Sequence, residues 1–392
     1  LPSKIANLFE SRETYKPGKL LSLDIPAGLC SDSGKPFKGG AAIASRTLCV
    51  GLYKKGLIQD DALPYVGEIH LFDIGIPWKI LADLANRSAK RISSKDLSTL
   101  CLPNPGVKAS KYERGRLLVI AGSDEYRGAA NLALQGALAS GAGSIQAIVP
   151  DSVADSLWHV LPEVVFRTSM NVNEVMDADP EKGLTSTSID LNKLDTILFG
   201  PGLTTYGKHW STFSESLRSF NGLLVLDADG LNLLAISKDG WQWLKDREGP
   251  TWITPHMAEF HRLFPELKGL EPLQAAAEAS KISGIDVLLK GAHSVVADKN
   301  GFLWQLGNAK CFVARAGLGD LLAGYASGLG SMGFATNKTS DAQLLAAAML
   351  LHAESAAASK EGTSASLVAS VLGELTRSIQ DMNRGDRHVN MF

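Results

Sequence analysis

The sequence predicts a doubly wound α/β domain over residues 106–392, preceded by a partial α/β domain over residues 1–95. Three observations carry this. Short, wholly apolar runs alternate with helix-length segments, glycines and acidic residues follow one run after another, and a polar stretch separates two blocks. Parallel strands buried on both faces read as continuous apolar runs rather than as alternation. In the first block Leu20–Asp24, Arg46–Tyr53 and Glu68–Phe72 read as strands, and Asp83 falls in a short helix. Three strands with so little helix make an incomplete parallel sheet whose faces need more cover than the block supplies. Asn86 to Arg114 is rich in Ser, Lys, Arg, Pro and Asn, and Pro103 and Pro105 break any helix there, so it reads as a linker. In the second block Arg116–Ala121 is a strand and Gly128–Gly141 an alanine-rich helix. Ser144–Val149, Thr196–Phe199, Leu223–Leu226 and Val287–Leu289 are further buried strands separated by helices. Ser294–Ala297, Gly301–Leu306 and Cys311–Val313 follow closely, with a turn at Asn300-Gly301, and predict an antiparallel edge. Leu318–Leu329 and Asp341–Ser359 predict long helices.

The bulk composition excludes several classes. Hydrophobic residues make up 45% of the 392 and charged residues 20%, as in ordinary globular chains. Lys and Arg number 39 against 41 Asp and Glu, a formal charge of −2, which supplies no basic face for nucleic acid. The longest apolar stretch, Leu344–Leu351, is too short to span a bilayer. Leu1-Pro2-Ser3-Lys4 opens no secretory signal, and Cys30, Cys49, Cys101 and Cys311 lack metal-type spacing. A cytoplasmic protein with buried thiols is expected.

The chemistry concentrates at strand ends, where open parallel sheets bind ligands. Gly317-Leu318-Gly319-Asp320 enters the apolar run Leu321-Leu322-Ala323-Gly324. A Gly-x-Gly loop entering a helix leaves several N–H groups unpaired and aimed at one spot, which suits a phosphate. An Asp there competes with the anion as structure, yet makes sense as a base that takes a hydroxyl proton while a phosphoryl group arrives. The same residues also fit a plain helix N-cap with an Asp in its first turn. Lys290 can offset phosphate charge, and Gly291, Ala292, His293 and Ser294 let backbone approach a nucleotide closely. Gly200 and Gly202 fit simple turns, Asp227 and Asp229 fit a helix cap, and His256 fits a satisfied helix-start residue. All of them nevertheless fall at the same edge of one sheet, which favours a single cleft. A P-loop is absent from the sequence. Asp320, at a helix N-terminus, is expected to have a low pKa.

These motifs resemble a known family. Gly317-Leu318-Gly319-Asp320 with Leu321-Leu322-Ala323-Gly324 looks like the C-terminal signature of ribokinase-like kinases. The fuller set is similar to one branch, the nucleotide-dependent NAD(P)H-hydrate dehydratases. It comprises Gly115 to Ser123 with Tyr126-Arg127-Gly128-Ala129-Ala130, Gly200-Pro201-Gly202-Leu203, Asp227-Ala228-Asp229-Gly230-Leu231-Asn232, Thr254-Pro255-His256-Met257-Ala258-Glu259 and Leu289-Lys290-Gly291-Ala292. In the first block Leu23-Asp24-Ile25-Pro26-Ala27-Gly28, Lys55-Gly56-Leu57 and Asp73-Ile74-Gly75-Ile76-Pro77 resemble the C-terminal half of the Rossmann-like NAD(P)H-hydrate epimerase domain.

The resemblance implies a metabolite-repair enzyme that dehydrates the S form of NAD(P)H-hydrate at the expense of ADP, or ATP in some relatives. It implies Asp320 as the base, and Ala129, Gly202, His256 and Asp320 at the hydrated cofactor. Lys290, Gly291, Ala292, His293, Ser294 and Gly319 would hold the nucleotide, with Mg²⁺ neutralising phosphate charge. No metal ligand among the side chains is implied, and a homotetramer is. Asp24 stands where the epimerase family binds substrate. Ala27, however, replaces a serine that contributes to a potassium site, and the remaining half of that domain is not among these residues. Epimerase activity is therefore not expected. Thr204 stands where relatives often carry Gly, and Leu318 where Thr or Ser is usual, which removes a hydroxyl donor to phosphate. Two other readings remain open: a small-molecule kinase of the same fold acting on a vitamin precursor or sugar, and a catalytically dead nucleotide-binding protein.

Overall fold

The structure, a computed structural model, describes residues 2–15, 20–85, 88–167, 189–205, 209–307, 314–337 and 341–389. The chain divides into two units, residues 1–90 with 291–293, and residues 91–290 with 294–392. Cys311–Val313, expected to form a strand, lies outside the described residues.

In the first unit, helix α1 (Ser3–Tyr15) precedes β1 (Leu21–Leu23), β2 (Arg46–Val50), a short α2 (Leu63–Val66), β3 (Glu68–Phe72) and α3 (Trp78–Ala85). The strands pair in parallel in the order β1-β2-β3. Their core is small, built from Leu29, Cys49, Leu57, Ala62 and Val66. The shortage of cover expected from the sequence is visible: Leu23 is 73% exposed, Phe72 63% and Trp78 78%.

The second unit holds a ten-stranded sheet in the order β4-β13-β12-β11-β10-β9-β8-β5-β6-β7. Its strands are β4 (Lys90–Ile92), β5 (Arg116–Ile120), β6 (Ser144–Ile148), β7 (Val165–Phe166), β8 (Thr196–Phe199), β9 (Leu223–Leu226), β10 (Thr251–Ile253), β11 (Asp286–Leu289), β12 (Val295–Ala297) and β13 (Leu303–Leu306). From β7 to β11 every pairing is parallel, and β12 and β13 add the antiparallel edge. The stretch read as a linker in fact carries β4 and a 3₁₀ turn at Ser94–Thr99. Arg91 there donates to the Gly307 carbonyl at 2.6 Å.

Both faces of the sheet are buried, which explains why its strands read as unbroken apolar runs. Leu117 and Val119 join one core with helices α4 (Arg127–Ala139), α10 (Leu318–Asn337) and α11 (Ala342–Ala358). Leu118 and Ile120, one residue out of phase, join the other core with α6 (His209–Ser219), α7 (Asp229–Ile236), α8 (Met257–Leu263) and α9 (Pro272–Ser283). A short α5 (Asp151–Leu157) and a C-terminal α12 (Ala365–Val389) complete the unit; the sequence reading did not anticipate α12.

Helix α10 approaches α4 closely because glycines face each other's backbones. A Cβ on Gly324 would stand 1.8 Å from the Ala133 carbonyl oxygen, and one on Gly136 would stand 2.1 Å from that of Leu321. The backbone cannot yield as a flexible side chain does. Gly324→Ala is therefore expected to push the helices apart and cost at least about 1–3 kcal/mol in urea unfolding. A loss under about 0.5 kcal/mol, within the range of an ordinary surface change, would show that the contact is not tight. The packing matters because α10 begins with the Gly-x-Gly-Asp loop.

Candidate active site

The chain runs outward from β5 through β6 to β7, then returns to place β8 on the other side of β5. Strand order thus reverses between β5 and β8, which opens a crevice at their carboxyl ends. Beyond those ends the sheet's hydrogen bonding continues into the loops. Gly122 N–H donates to the Pro201 carbonyl at 2.8 Å, Gly200 N–H to Ile120 at 3.1 Å and Asp227 N–H to Phe199 at 3.3 Å. Thr254 N–H donates to Leu226 at 3.1 Å and Lys290 N–H to Pro255 at 2.8 Å. Each polar residue therefore sits one step past its strand and beside the next along one edge.

At the β5–β8 end, Gly202 is buried with φ +66°, and a Cβ there would meet the Ala129 Cβ at 2.7 Å. Ala129 and Gly202 are thus neighbours. Thr204, two residues on, has φ +66°, a left-handed conformation awkward for a β-branched residue and natural for Gly. Ala228 holds φ 47° and ψ −118° between Asp227 and Asp229, a strained link of the kind found where function fixes a backbone.

The centre of the site is an ion-pair network. Lys290 Nζ donates to Asp227 Oδ1 at 2.7 Å, and the Thr254 hydroxyl donates to the same oxygen at 2.8 Å. The Asp227 side chain is 1% exposed and that of Lys290 18%. Burial pushes the Lys290 ammonium down, but Asp227, Glu259 and Asp320 around it more than offset this and leave its pKa raised. The loop carrying Gly319 meets this network, since a Cβ on Gly319 would stand 3.5 Å from Lys290 Nζ. Asp320 is half-buried, and its pKa is raised to about 6 by burial and by Asp227, with Lys290 opposing the rise. The low pKa expected from the helix N-terminus is therefore corrected. Desolvation and neighbouring carboxylates outweigh the helix dipole, whose influence at a terminus is about 1 kcal/mol or less when exposed. The carboxylate is also gathered near Lys290 as the sequence required, its charge being felt there.

His256 caps α8. Its Nδ1 accepts from Ala258 N–H at 3.0 Å and Glu259 N–H at 3.4 Å, while the His256 backbone N–H donates to Glu259 Oε2 at 2.8 Å. The Thr-Pro-His-x-x-Glu spacing is thus a capping box, with His at the N-cap and Glu at the third helical position. The imidazole side chain remains 52% exposed beside Lys290, to which residue 256 is bridged. Glu259, noted in the sequence only as part of this motif, is 6% exposed with a pKa raised by burial. A buried Glu at that spacing was the signal that it belongs to the network.

The rest of the expected nucleotide loop behaves differently. Gly291, Ala292 and His293 group with the first unit. There the Asp60 carboxylate accepts from Ala292 N–H at 3.1 Å and His293 N–H at 2.8 Å. It also contacts His293 Nδ1 at 3.0 Å, and despite burial its pKa is lowered by these partners. Ser294 is half-buried, and its carbonyl accepts from Leu306 N–H at 2.9 Å. Asp24, in the first unit, pairs with Lys54 and accepts from Val50 N–H at 3.1 Å, and the Lys54 contact lowers its pKa. Its φ of 67° is strained. Leu318 is 7% exposed and packs against Ala356, Ala365 and Val368. Its side chain faces the core.

A family model described as NAD(P)H-hydrate dehydratase matches residues 117–377. The chain belongs to that family. Among curated relatives, a bifunctional NAD(P)H-hydrate repair enzyme from Gloeobacter violaceus is 38% identical over 314 residues, covering 79% of this chain and 59% of that protein. The corresponding protein of Thermosynechococcus vestitus is 32% identical over 382 residues, covering 97% and 73%. The chain thus spans about three-fifths to three-quarters of the length of these relatives. Two solved structures share the ribokinase-like fold of this NAD(P)H-hydrate dehydratase family member. An ADP/ATP-dependent NAD(P)H-hydrate dehydratase from Bacillus subtilis, co-crystallised with ATP and Mg²⁺, superposes with a TM-score of 0.59 at 24% identity, over 74% of this chain and 99% of that one. A ribokinase-like superfamily protein from Enterococcus faecalis gives 0.61 at 20% identity, over 74% and 97%.

Two further facts bound the site of this family member. An open cavity of about 660 Å³ lined by Lys245, Thr251, Lys281 and Ile285 lies at the amino ends of β10 and β11, the opposite edge from Asp227 and Lys290. Among the described residues, no His, Cys, Asp and Glu gather in threes to hold a metal, and no helix is long and apolar enough to cross a membrane.

Proposed function

We propose that this chain dehydrates (S)-NAD(P)H-hydrate to NAD(P)H, consuming ADP and releasing AMP and phosphate, with ATP as an alternative donor. The reading rests above all on Asp320, a half-buried carboxylate raised to about 6 beside Lys290 and a glycine loop at a helix start. Such a group stays ionised near neutral pH yet is a stronger base than an exposed Asp. Asp320 takes the proton of the ring hydroxyl as that oxygen bonds the terminal phosphorus and the bond from phosphorus to the leaving nucleotide breaks. Lys290 and the Gly319 N–H compensate the charge on the transferred group. The lone pair of the ring nitrogen then expels the phosphate, and loss of the neighbouring carbon-bound proton restores the dihydropyridine. Ala129 and Gly202, lacking bulk, leave room for the nicotinamide ring, with His256 at its rim.

Mg²⁺ takes most of its ligands from phosphate oxygens and water, which suits a site where, among the described residues, no three side chains are placed to hold a metal. When bound it would neutralise phosphate charge. For the first unit we propose no epimerase turnover, because Lys54 and Val50 engage Asp24 and Ala27 offers no side-chain oxygen.

The test is one assay of NADH-hydrate, Mg²⁺ and ADP or ATP, followed by phosphate release and by absorbance of the reduced nicotinamide. The expected result is equal amounts of both products from the S form, with the R form accumulating. A stable phosphorylated product instead would mean a small-molecule kinase, and nucleotide binding with no turnover would mean a non-catalytic protein.

A further inference from the structure

The open cavity at the amino ends of β10 and β11 takes no part in the chemistry above, and its lining is charged in one sense. Lys245, Arg247, Lys281 and Lys299 line it against the single carboxylate of Glu248. Its volume of about 660 Å³ falls within the range of small-molecule sites, roughly 300–1,000 Å³. The three lysines are exposed, and among the described residues none of them forms an ion pair. Lys245 instead lies over the Trp241 ring, 5.0 Å from its centroid. The charge of Lys299 is felt by Asp286, yet burial raises that carboxyl to about 7, so it cancels only part of the charge.

Arg247 is the buried member of the set, 9% exposed. Its Nε donates to the Thr251 hydroxyl at 2.8 Å, and its Nη2 to the Gly222 carbonyl at 3.0 Å and the Pro250 carbonyl at 3.4 Å. Nη1 donates to the Leu217 carbonyl. Gly249 leaves room for the guanidinium, since a Cβ there would stand 2.7 Å from Nη2. All four acceptors are neutral, so they satisfy hydrogen bonds without cancelling the charge. Burial pushes the pKa down to about 10 with no carboxylate opposing it, and the group stays charged at neutral pH. Buried charges are ordinarily paired. An anion in the adjoining cavity would supply the counter-charge, drawn by a fixed guanidinium and by three ammonium groups on flexible stems.

We propose that this cavity is a second ligand site, taking a small metabolite that carries two or more phosphate groups. A terminal phosphate carries about −1.5 to −2, so a di- or triphosphate matches an excess of cations within so small a space. The inference does not rest on the phosphoryl-transfer reading, because the cavity lies at the opposite edge of the sheet from Asp227 and Lys290.

Inorganic tripolyphosphate is the probe, since it carries the charge without a base or a sugar. In calorimetry at fixed ionic strength, wild type is expected to bind one tripolyphosphate per chain that Lys245→Gln/Lys281→Gln/Lys299→Gln binds about tenfold more weakly, the combined effect of three exposed charge contacts. Lys95→Gln/Lys108→Gln/Lys360→Gln removes the same charge at exposed positions away from the cavity and should bind as wild type does. Equal binding by wild type and the cavity variant, or no binding by wild type, overturns the proposal. An equal loss in the control variant overturns it too, because the attraction is then diffuse. Citrate, an anion without phosphate, should bind more weakly, and equal binding overturns the phosphate assignment. If the cavity variant fails to fold, its three single Gln variants decide. Each should weaken binding by about two- to threefold, and unchanged affinity in all three sinks the site.

Discussion

Asp320→Asn is expected to lower kcat for NADH-hydrate dehydration by about 10²–10⁴-fold, the span of general-base catalysis, while ADP still binds. The amide keeps the size of the carboxylate and removes its proton affinity. The wild-type pH profile should report the same group. Its folded pKa is raised to about 6, so the basic form dominates above that value and is lost as pH falls through it. Below pH ~6, kcat should fall about tenfold per unit, and a plateau should extend through neutral pH. Asp320→Asn should flatten that limb. A variant as active as wild type, or a profile insensitive to pH between 5 and 7 in both proteins, would remove the base from residue 320.

Asp227→Ala should have the largest effect on stability. It strips the ammonium of Lys290 of the carboxylate 2.7 Å away, at a site where the two side chains are only 18% and 1% exposed. Breaking one side of a buried pair costs about 3–5 kcal/mol, because the remaining charge stays desolvated. Glu259 and Asp320 remain as weaker partners for Lys290, so the lower end is expected. Urea unfolding of Asp227→Ala, Lys290→Met and the double variant gives the coupling directly. The double variant should regain a large part of the lost stability and stay inactive, since the cation proposed to offset phosphate charge is gone. Additive losses would show that the pair does not hold the edge together.

How much of this was legible depended on where the controlling contacts lie in the chain. Strand positions such as Thr196–Phe199 and Leu223–Leu226 emerged residue for residue, because burial on both faces makes them plain apolar runs. Asp341–Ser359 was legible as well, with Asp341 accepting from Leu344 N–H at 2.9 Å to cap the helix. The capping role of His256 was also readable, since a box spans only four residues. The protonation of Asp320 was not. Its local sequence says helix N-terminus and low pKa, whereas its desolvation and the charge of Asp227, 93 residues away in sequence (320 − 227), set the opposite sign.

The string of residues alone determined most strands and helices of the second block, the edge on which polar groups collect and the family, because apolar runs and short glycine motifs are local patterns. Only the folded arrangement decided that Lys290 answers to Asp227, that Asp320 is held near 6, and that the Leu318 side chain turns inward. Those outcomes depend on burial and on charges a few ångströms apart in space, quantities that neighbours in the chain do not encode.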